Sequence, residues 1–208
     1  LTIAISSGFA DHERLHAAAL FWQAFSPKLY KVMGPDEKGL AFFEIALNPN
    51  FALVARDETG RMLGLAGFKT RDGGLAGGSM SDLAGTYGWF GAVWRACILS
   101  LLERELKPGV FQMDGIFVAA DARGKGVGTA LLNAIKQEAR GQGMSEVQLD
   151  VIDTNPRARA LYEREGFRPV GEEKPGRSNT SSALAARQRC PGLWKRPSRR
   201  FRPHGPAT

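Results

Sequence analysis

Six consecutive residues carry the clearest chemical signal in this sequence: Arg123, Gly124, Lys125, Gly126, Val127 and Gly128. A strand-like run enters the segment and a helical pattern leaves it. Three glycines let the main chain approach a bulky anion and adopt positive φ. The helix start at Gly128 and Thr129 leaves several N–H groups without intrahelical partners, and these groups together with the helix dipole attract phosphate oxygens. Arg123 and Lys125 add charge. The combination reads as a diphosphate cradle. It is not a Walker loop, because no Gly-Lys-Ser/Thr follows, and its glycines do not have dinucleotide-fingerprint spacing. Taken alone, the pattern fits a plain glycine-rich turn equally well.

Two flanking blocks narrow the reading. Asp114, Gly115, Ile116, Phe117 and Val118 precede the loop, and Asn155, Ala158, Leu161, Tyr162, Glu163, Gly166 and Phe167 follow it. With these blocks in place the sequence resembles the GNAT N-acetyltransferase superfamily, most strongly over residues 110–171 and more weakly back to about residue 10. In that family an Arg/Gln-x-x-Gly-x-Gly/Ala loop holds the coenzyme A pyrophosphate, and Arg123, Gly126 and Gly128 match it.

The resemblance implies acetyl transfer from acetyl-coenzyme A to a primary amine by direct attack, with no metal. It implies two parallel strands, residues 110–118 and 147–152, that splay apart so that the coenzyme's pantetheine arm pairs with the main chain of Ile116 and Val118. An N–H of Phe117 or a neighbour would stabilise the oxyanion. Tyr162 matches the family's general acid, which protonates the leaving thiolate; the alternative is a packed aromatic. Asn155 matches a position that bonds the coenzyme arm or a nearby water, and it also suits a helix N-cap before Pro156. Asp114 is the best candidate for the base, because an amine with a pKa of ~10.4 arrives protonated. Some relatives, such as polyamine acetyltransferases, carry a Glu at this offset from the loop, and the shorter Asp would work through a water. An exposed strand-end carboxylate is the plain alternative, and Asp150 and Asp82 are weaker base candidates. A non-catalytic acyl-coenzyme A-binding regulatory domain is the rival function.

These residues need elements to hold them. Residues 11–25 read as a helix, with Leu15, Ala18, Ala19, Trp22 and Phe25 on one face and Pro27 ending it. Asp36 is placed to cap a second helix through residue 47. Residues 51–56 and 61–70 form a hairpin, and a glycine-rich loop spans 72–78. A helix covers 87–106, a strand 110–118, a helix 129–140, a strand 147–152, a helix 156–165, and a last strand begins at 166. This order predicts an α/β fold: a mixed central sheet with helices on both faces. The domain spans 1–173, with a helical insertion at about 72–109. That insertion, ~38 residues long, far exceeds a usual connection; it reads as a lid on the acceptor pocket, a homodimer surface or an extra packing helix.

Charge divides the chain. The net charge is +7, yet residues 1–173 hold 19 Lys and Arg against all 21 Asp and Glu. Residues 174–208 hold the other nine basic residues and no acid. The basicity therefore belongs to the C-terminal segment, which shows no strand-like alternation and reads as a disordered tail, a frameshifted or fused piece, or an RNA-binding arm without interleaved aromatics. No apolar run reaches the ~18 residues of a membrane span, and the N-terminus lacks a basic n-region. Cys97 and Cys190 lie far apart and lack metal-ligand spacing, and a reducing cytoplasm is the default expectation.

Overall fold

The computed structural model describes residues 2–102, 109–152, 156–173 and 181–187. Its core is one mixed sheet. The strands are β1 (Ala4–Ser7), β2 (Ala52–Arg56), β3 (Met62–Thr70), the two-residue β4 (Gly73–Gly74), β5 (Val110–Val118), β6 (Glu146–Ile152), β7 (Arg168–Glu173) and β8 (Ser181–Arg187). They lie in the order β1-β2-β3-β5-β6-β8-β7, with β4 paired to β3. Every contact is antiparallel except β5 with β6. The helices are α1 (Arg14–Met33), α2 (Asp36–Ala46), α3 (Met80–Leu102), α4 (Val127–Gly141) and α5 (Pro156–Arg164).

Strand alternation assigns the two faces. Residues opposite one another across a ladder point to the same side. Leu65 lies opposite Phe117, and the Phe117 ring packs on Phe21 and Phe25 of α1 at 5.4 and 5.6 Å between centroids. Leu53, Ala66 and Ile116 form the adjacent row and so face the other way. There Leu53 shares a groove with Ala130 and Ala134 of α4. Fully buried Leu131, Leu132 and Ile135 press α4 onto the sheet, while α2 packs beside α1 through Phe43 against Phe21 and Trp22.

Four local expectations are corrected. Pro27 does not end α1, which runs on to Met33. The apolar stripe of Phe21, Phe25, Leu29, Val32 and Met33 continues past the proline at helical spacing, and Met33 is fully buried. Beyond the proline, full burial of Met33, at ~1.5–3 kcal/mol, and partial burial of Leu29 and Val32 offset a proline cost of about 3 kcal/mol. Asp36 does not cap α2: Pro35 holds the N-cap position, and the Asp36 carboxylate accepts a hydrogen bond from Trp22 Nε1 at 2.8 Å instead. The insertion helix starts at Met80 rather than 87 and breaks at Gly88, whose φ is +72°. Its first half packs inward, with Leu83 buried and Tyr87 donating its hydroxyl hydrogen to the Met33 carbonyl. Its second half leaves Trp89 and Phe90 exposed.

The fourth correction concerns the C-terminal segment. Residues Ser181–Arg187 form β8, which lies between β6 and β7 and pairs with both. The sequence hid this strand because only Leu184 is large among Ser181, Ser182, Ala183, Ala185 and Ala186. Leu184 and Ala186 are buried, and two neighbouring ladders supply hydrogen bonds that need no bulky side chains. The other residues of 174–208 lie outside the described ones.

Candidate active site

The site begins where the one parallel pairing stops. β5 and β6 are in register from Val110 opposite Glu146 to Met113 opposite Leu149, and no further. Beyond that point β6 stays bound to β8 through Ile152, and β5 stays bound to β3 through Val118. The sheet therefore forks. Asp114 sits at the branch, and it is the extra residue of a β-bulge: Gly67 opposes Gly115 while the next residue, Phe68, opposes Met113. A bulge bends its strand and adds twist, which turns β5 away from β6.

The fork leaves main-chain groups without a strand partner. Ala119 N–H donates to the Leu63 carbonyl at 2.9 Å, so Ala119 and Leu63 are a hydrogen-bonded pair. By antiparallel alternation Phe117 with Leu65 is the next such pair, and Ile116 and Val118 turn their N–H and C=O groups toward the gap. The Val118 carbonyl confirms the direction, since it accepts a hydrogen bond from Arg123 Nε at 3.2 Å rather than from β3. Of the expected oxyanion donors, Phe117 or a neighbour, the pairing turns the Phe117 N–H toward β3 and its neighbours' N–H groups toward the gap, and the Phe117 ring serves as core.

The loop at the mouth of the fork is shaped for an anion. Gly124 and Gly126 have φ of +75° and +85°, and nothing lies within 4 Å of where a Cβ would stand on either. Gly126 is the N-cap of α4, so the helix begins two residues earlier than its sequence pattern suggests. Val127, Gly128 and Thr129 form its first turn, whose N–H groups have no partner one turn back. Buried Val127 anchors that turn, while Arg123, Gly124, Lys125 and Gly126 are exposed. Arg61 ties the loop's entrance to the β2–β3 turn, reaching Asp121 at 2.8 Å and Asp57 at 3.3 Å. Two residues join this area without a signal in the sequence. Gln23 of α1 accepts from Arg123 Nη2 at 3.5 Å, and Lys69 of β3 lies near Asp114. Both contacts depend on register and helix docking that spacing alone does not encode.

Two titratable groups fit acid–base work. Burial pushes the Asp114 carboxyl up to about 6, against the opposing pull of the Leu75 main chain and the Lys69 charge. Burial alone pushes the Tyr162 phenol up to about 12. Tyr162 sits on α5 against Phe167, ring centroids 5.9 Å apart, and Phe167 N–H donates to the Tyr162 carbonyl at 2.9 Å. Asn155 lies outside the described residues. Asp150 is exposed on β6. Asp82 is held by the Ser79 hydroxyl and N–H at the start of α3, which lowers its pKa, so it suits a base less than Asp114.

The residues present fit a coenzyme A chain: open left-handed glycines and a helix N-terminus for the pyrophosphate, and a forked strand for an amide-bearing arm. A model of the acetyltransferase (GNAT) family matches residues 16–167. The backbone is similar to that of an N-acetyltransferase from Staphylococcus aureus Mu50, at 17% identity and a TM-score of 0.63, over 88% of this chain and 100% of that one. It is also similar to a histone acetyltransferase HPA2 and related acetyltransferase from Corynebacterium glutamicum, at 21% identity and a TM-score of 0.63, over 93% and 100% of the two chains. A ribosomal-protein-alanine N-acetyltransferase from Brucella melitensis matches at 18% identity and a TM-score of 0.57, over 90% and 100%. At such identities the structural likeness speaks for the fold.

Proposed function

Because the chain belongs to the acetyltransferase (GNAT) family and is an N-acetyltransferase of that type, we propose that it passes an acetyl group directly from acetyl-coenzyme A to a primary amine, with Asp114 as base and Tyr162 as acid. The observation that carries this reading is the fork. β5 and β6 part after Met113 and Leu149, at the residue that bears the perturbed carboxyl.

Acetyl-coenzyme A supplies an activated acyl carbon joined to a good leaving group. Arg123, Lys125 and the first-turn N–H groups of α4 hold its phosphates by charge and dipole. Ile116 and Val118 orient its amide-bearing arm along the free edge of β5. Asp114, ionised above about pH 6, takes a proton from the ammonium of the acceptor, directly or through one water, and leaves a nucleophilic amine. The amine nitrogen bonds to the acyl carbon as the carbon–sulfur bond breaks. Tyr162 keeps its proton at neutral pH and gives it to the departing sulfur. The nitrogen, now bonded to the acyl carbon, loses its excess proton, which returns to the phenolate directly or through water, and the Asp114 proton leaves to solvent. An N–H of Ile116 or Val118 faces the gap where the carbonyl oxygen gains charge.

Release of free thiol from acetyl-coenzyme A, followed across a panel of primary amines, tests the proposal. An amine-dependent release matched by acetylated product is expected. Tight coenzyme binding without release for any amine would favour the regulatory-domain reading instead.

A further inference from the structure

Helix α4 touches α5 at one point and the residue that follows α5 at another. At the start of α4, a Cβ on Gly128 would stand 3.1 Å from Leu161 of α5, so the absence of a side chain there lets α5 approach the loop. Leu161 is the residue before Tyr162. Eight residues along α4, Lys136 Nζ donates to the Glu165 carbonyl at 2.8 Å and to its carboxylate at 3.2 Å. The Lys136 and Glu165 side chains are 15% and 17% exposed. The Lys136 ammonium also lies over the Phe167 ring, 5.6 Å from its centroid, and that ring packs against Tyr162.

These contacts bracket Tyr162 from both sides. One lies a residue before it and the other three residues after it, and both run to the helix whose first turn forms the anion cradle. Glu165 closes the last turn of α5, where its N–H donates to the Leu161 carbonyl. Gly166, at φ +89°, then reverses the chain so that Phe167 returns beneath Tyr162. Lys136 therefore meets the outgoing main chain, the acidic side chain and the supporting ring at once. A charge held this far from solvent keeps its place only with such partners.

We infer that Lys136 is a positioning residue for acetyl transfer: with the Gly128–Leu161 contact it locks α5 to α4 and fixes the Tyr162 hydroxyl relative to the coenzyme cradle. The inference rests on the role proposed above for Tyr162. Lys136 acts on where the phenol sits rather than on its ionisation, since no charge of Lys136 figures among the causes of the raised Tyr162 pKa.

The test is a double-mutant cycle on the full chain with the best amine found in the thiol-release panel, using K136M, K136R, Y162F and K136M/Y162F. Y162F should lower kcat by ~100-fold, in the range of general acid catalysis. K136M should lower kcat by ~10-fold or more, in keeping with the sensitivity of catalysis to small misplacements. It should leave the acetyl-coenzyme A dissociation constant within about threefold and the pH profile unmoved, and K136R should restore most of the rate. The double variant should be no slower than Y162F, because a positioning residue has nothing left to position. Losses that multiply in the double variant, or a K136M defect confined to coenzyme affinity, would overturn the inference. A Y162F variant with full kcat would instead remove the acid role itself. If K136M does not fold, E165Q, which keeps the main-chain acceptor and removes the charge, takes its place in the cycle with the same expected non-additivity, and additivity there overturns the inference equally.

Discussion

At the scale of single residues, Asp114 is the proposed base. Its carboxyl titrates near 6 because it is buried at the bulge of β5, well above the ordinary 3.8. The raised value means that the folded chain holds the proton more tightly than the unfolded chain does. Any stability tied to the neutral form is complete below about pH 4 and is lost as pH rises through about 6. Under the proposed role, ionised Asp114 exchanges stability for a usable base. Replacing Asp114 by Asn removes the titration. Thermal or urea unfolding at several pH values should show the stability of D114N relative to the parent improving by up to ~3 kcal/mol between about pH 4 and pH 7. In the same variant kcat should fall by ~100-fold or more, and the rise of kcat near pH 6 should disappear when the acceptor amine has a low pKa of its own. Asp114 was legible as a candidate from its offset to Arg123. Its perturbation was not, because it comes from burial at the bulge, which the pairing of β5 with β3 sets, and Leu75 and Lys69 only oppose it.

At the scale of elements, coenzyme binding is proposed for the loop and helix between β5 and β6. The glycines were visible in the sequence, but their separate duties were not. Gly126 takes a left-handed backbone with open space beside it, so its need is conformational. Gly128 has ordinary φ and a close neighbour in Leu161, so its need is steric. Adding a methyl at Gly126 should therefore strain the cradle by ~1–2 kcal/mol. G126A should weaken acetyl-coenzyme A binding by roughly 5–30-fold in a direct titration. G141A, at the far end of the same helix with nothing within 4 Å, should leave the affinity unchanged. The other element-level surprise, α1 running through Pro27, follows the same logic in reverse. Local propensity called for a stop, and burial of Met33 beyond it prevailed. Trp22 shows the same override, since its Nε1 donates to Asp36 and diverts the residue that spacing assigns to a cap.

At the scale of the whole molecule, the sheet works as two plates joined at one short parallel seam. β1, β2, β3 and β5 form one plate, and β6, β8 and β7 form the other. Each is held by continuous antiparallel ladders, so the seam can end at Met113 and Leu149 without loosening either. Most of this order was legible, because strong apolar strands alternate with amphipathic helices from residue 52 to 170. Three strands were not. The two-residue β4 is a glycine pair that reads as loop. β1 exposes most of its residues and so lacks a buried stripe to read. β8 is built from serine and alanine around Leu184, and its place is set by neighbours more than by its own composition. The division of charge was legible throughout, since it needs only counting: the excess of positive charge lies in residues 174–208, not around the fork. Among the described residues no helix is long and apolar enough to cross a membrane.

Direct transfer within the fork, as proposed, can be read from the mass of the intact chain. The chain is mixed with acetyl-coenzyme A, first alone and then with an amine that supports thiol release, and both protein and small molecules are weighed. Direct transfer leaves the protein mass unchanged in both samples. With the amine present it yields one equivalent of acetylated amine for each equivalent of free thiol. An acetyl group resident on the protein that then passes to the amine, or thiol released without acetylated amine, would contradict it.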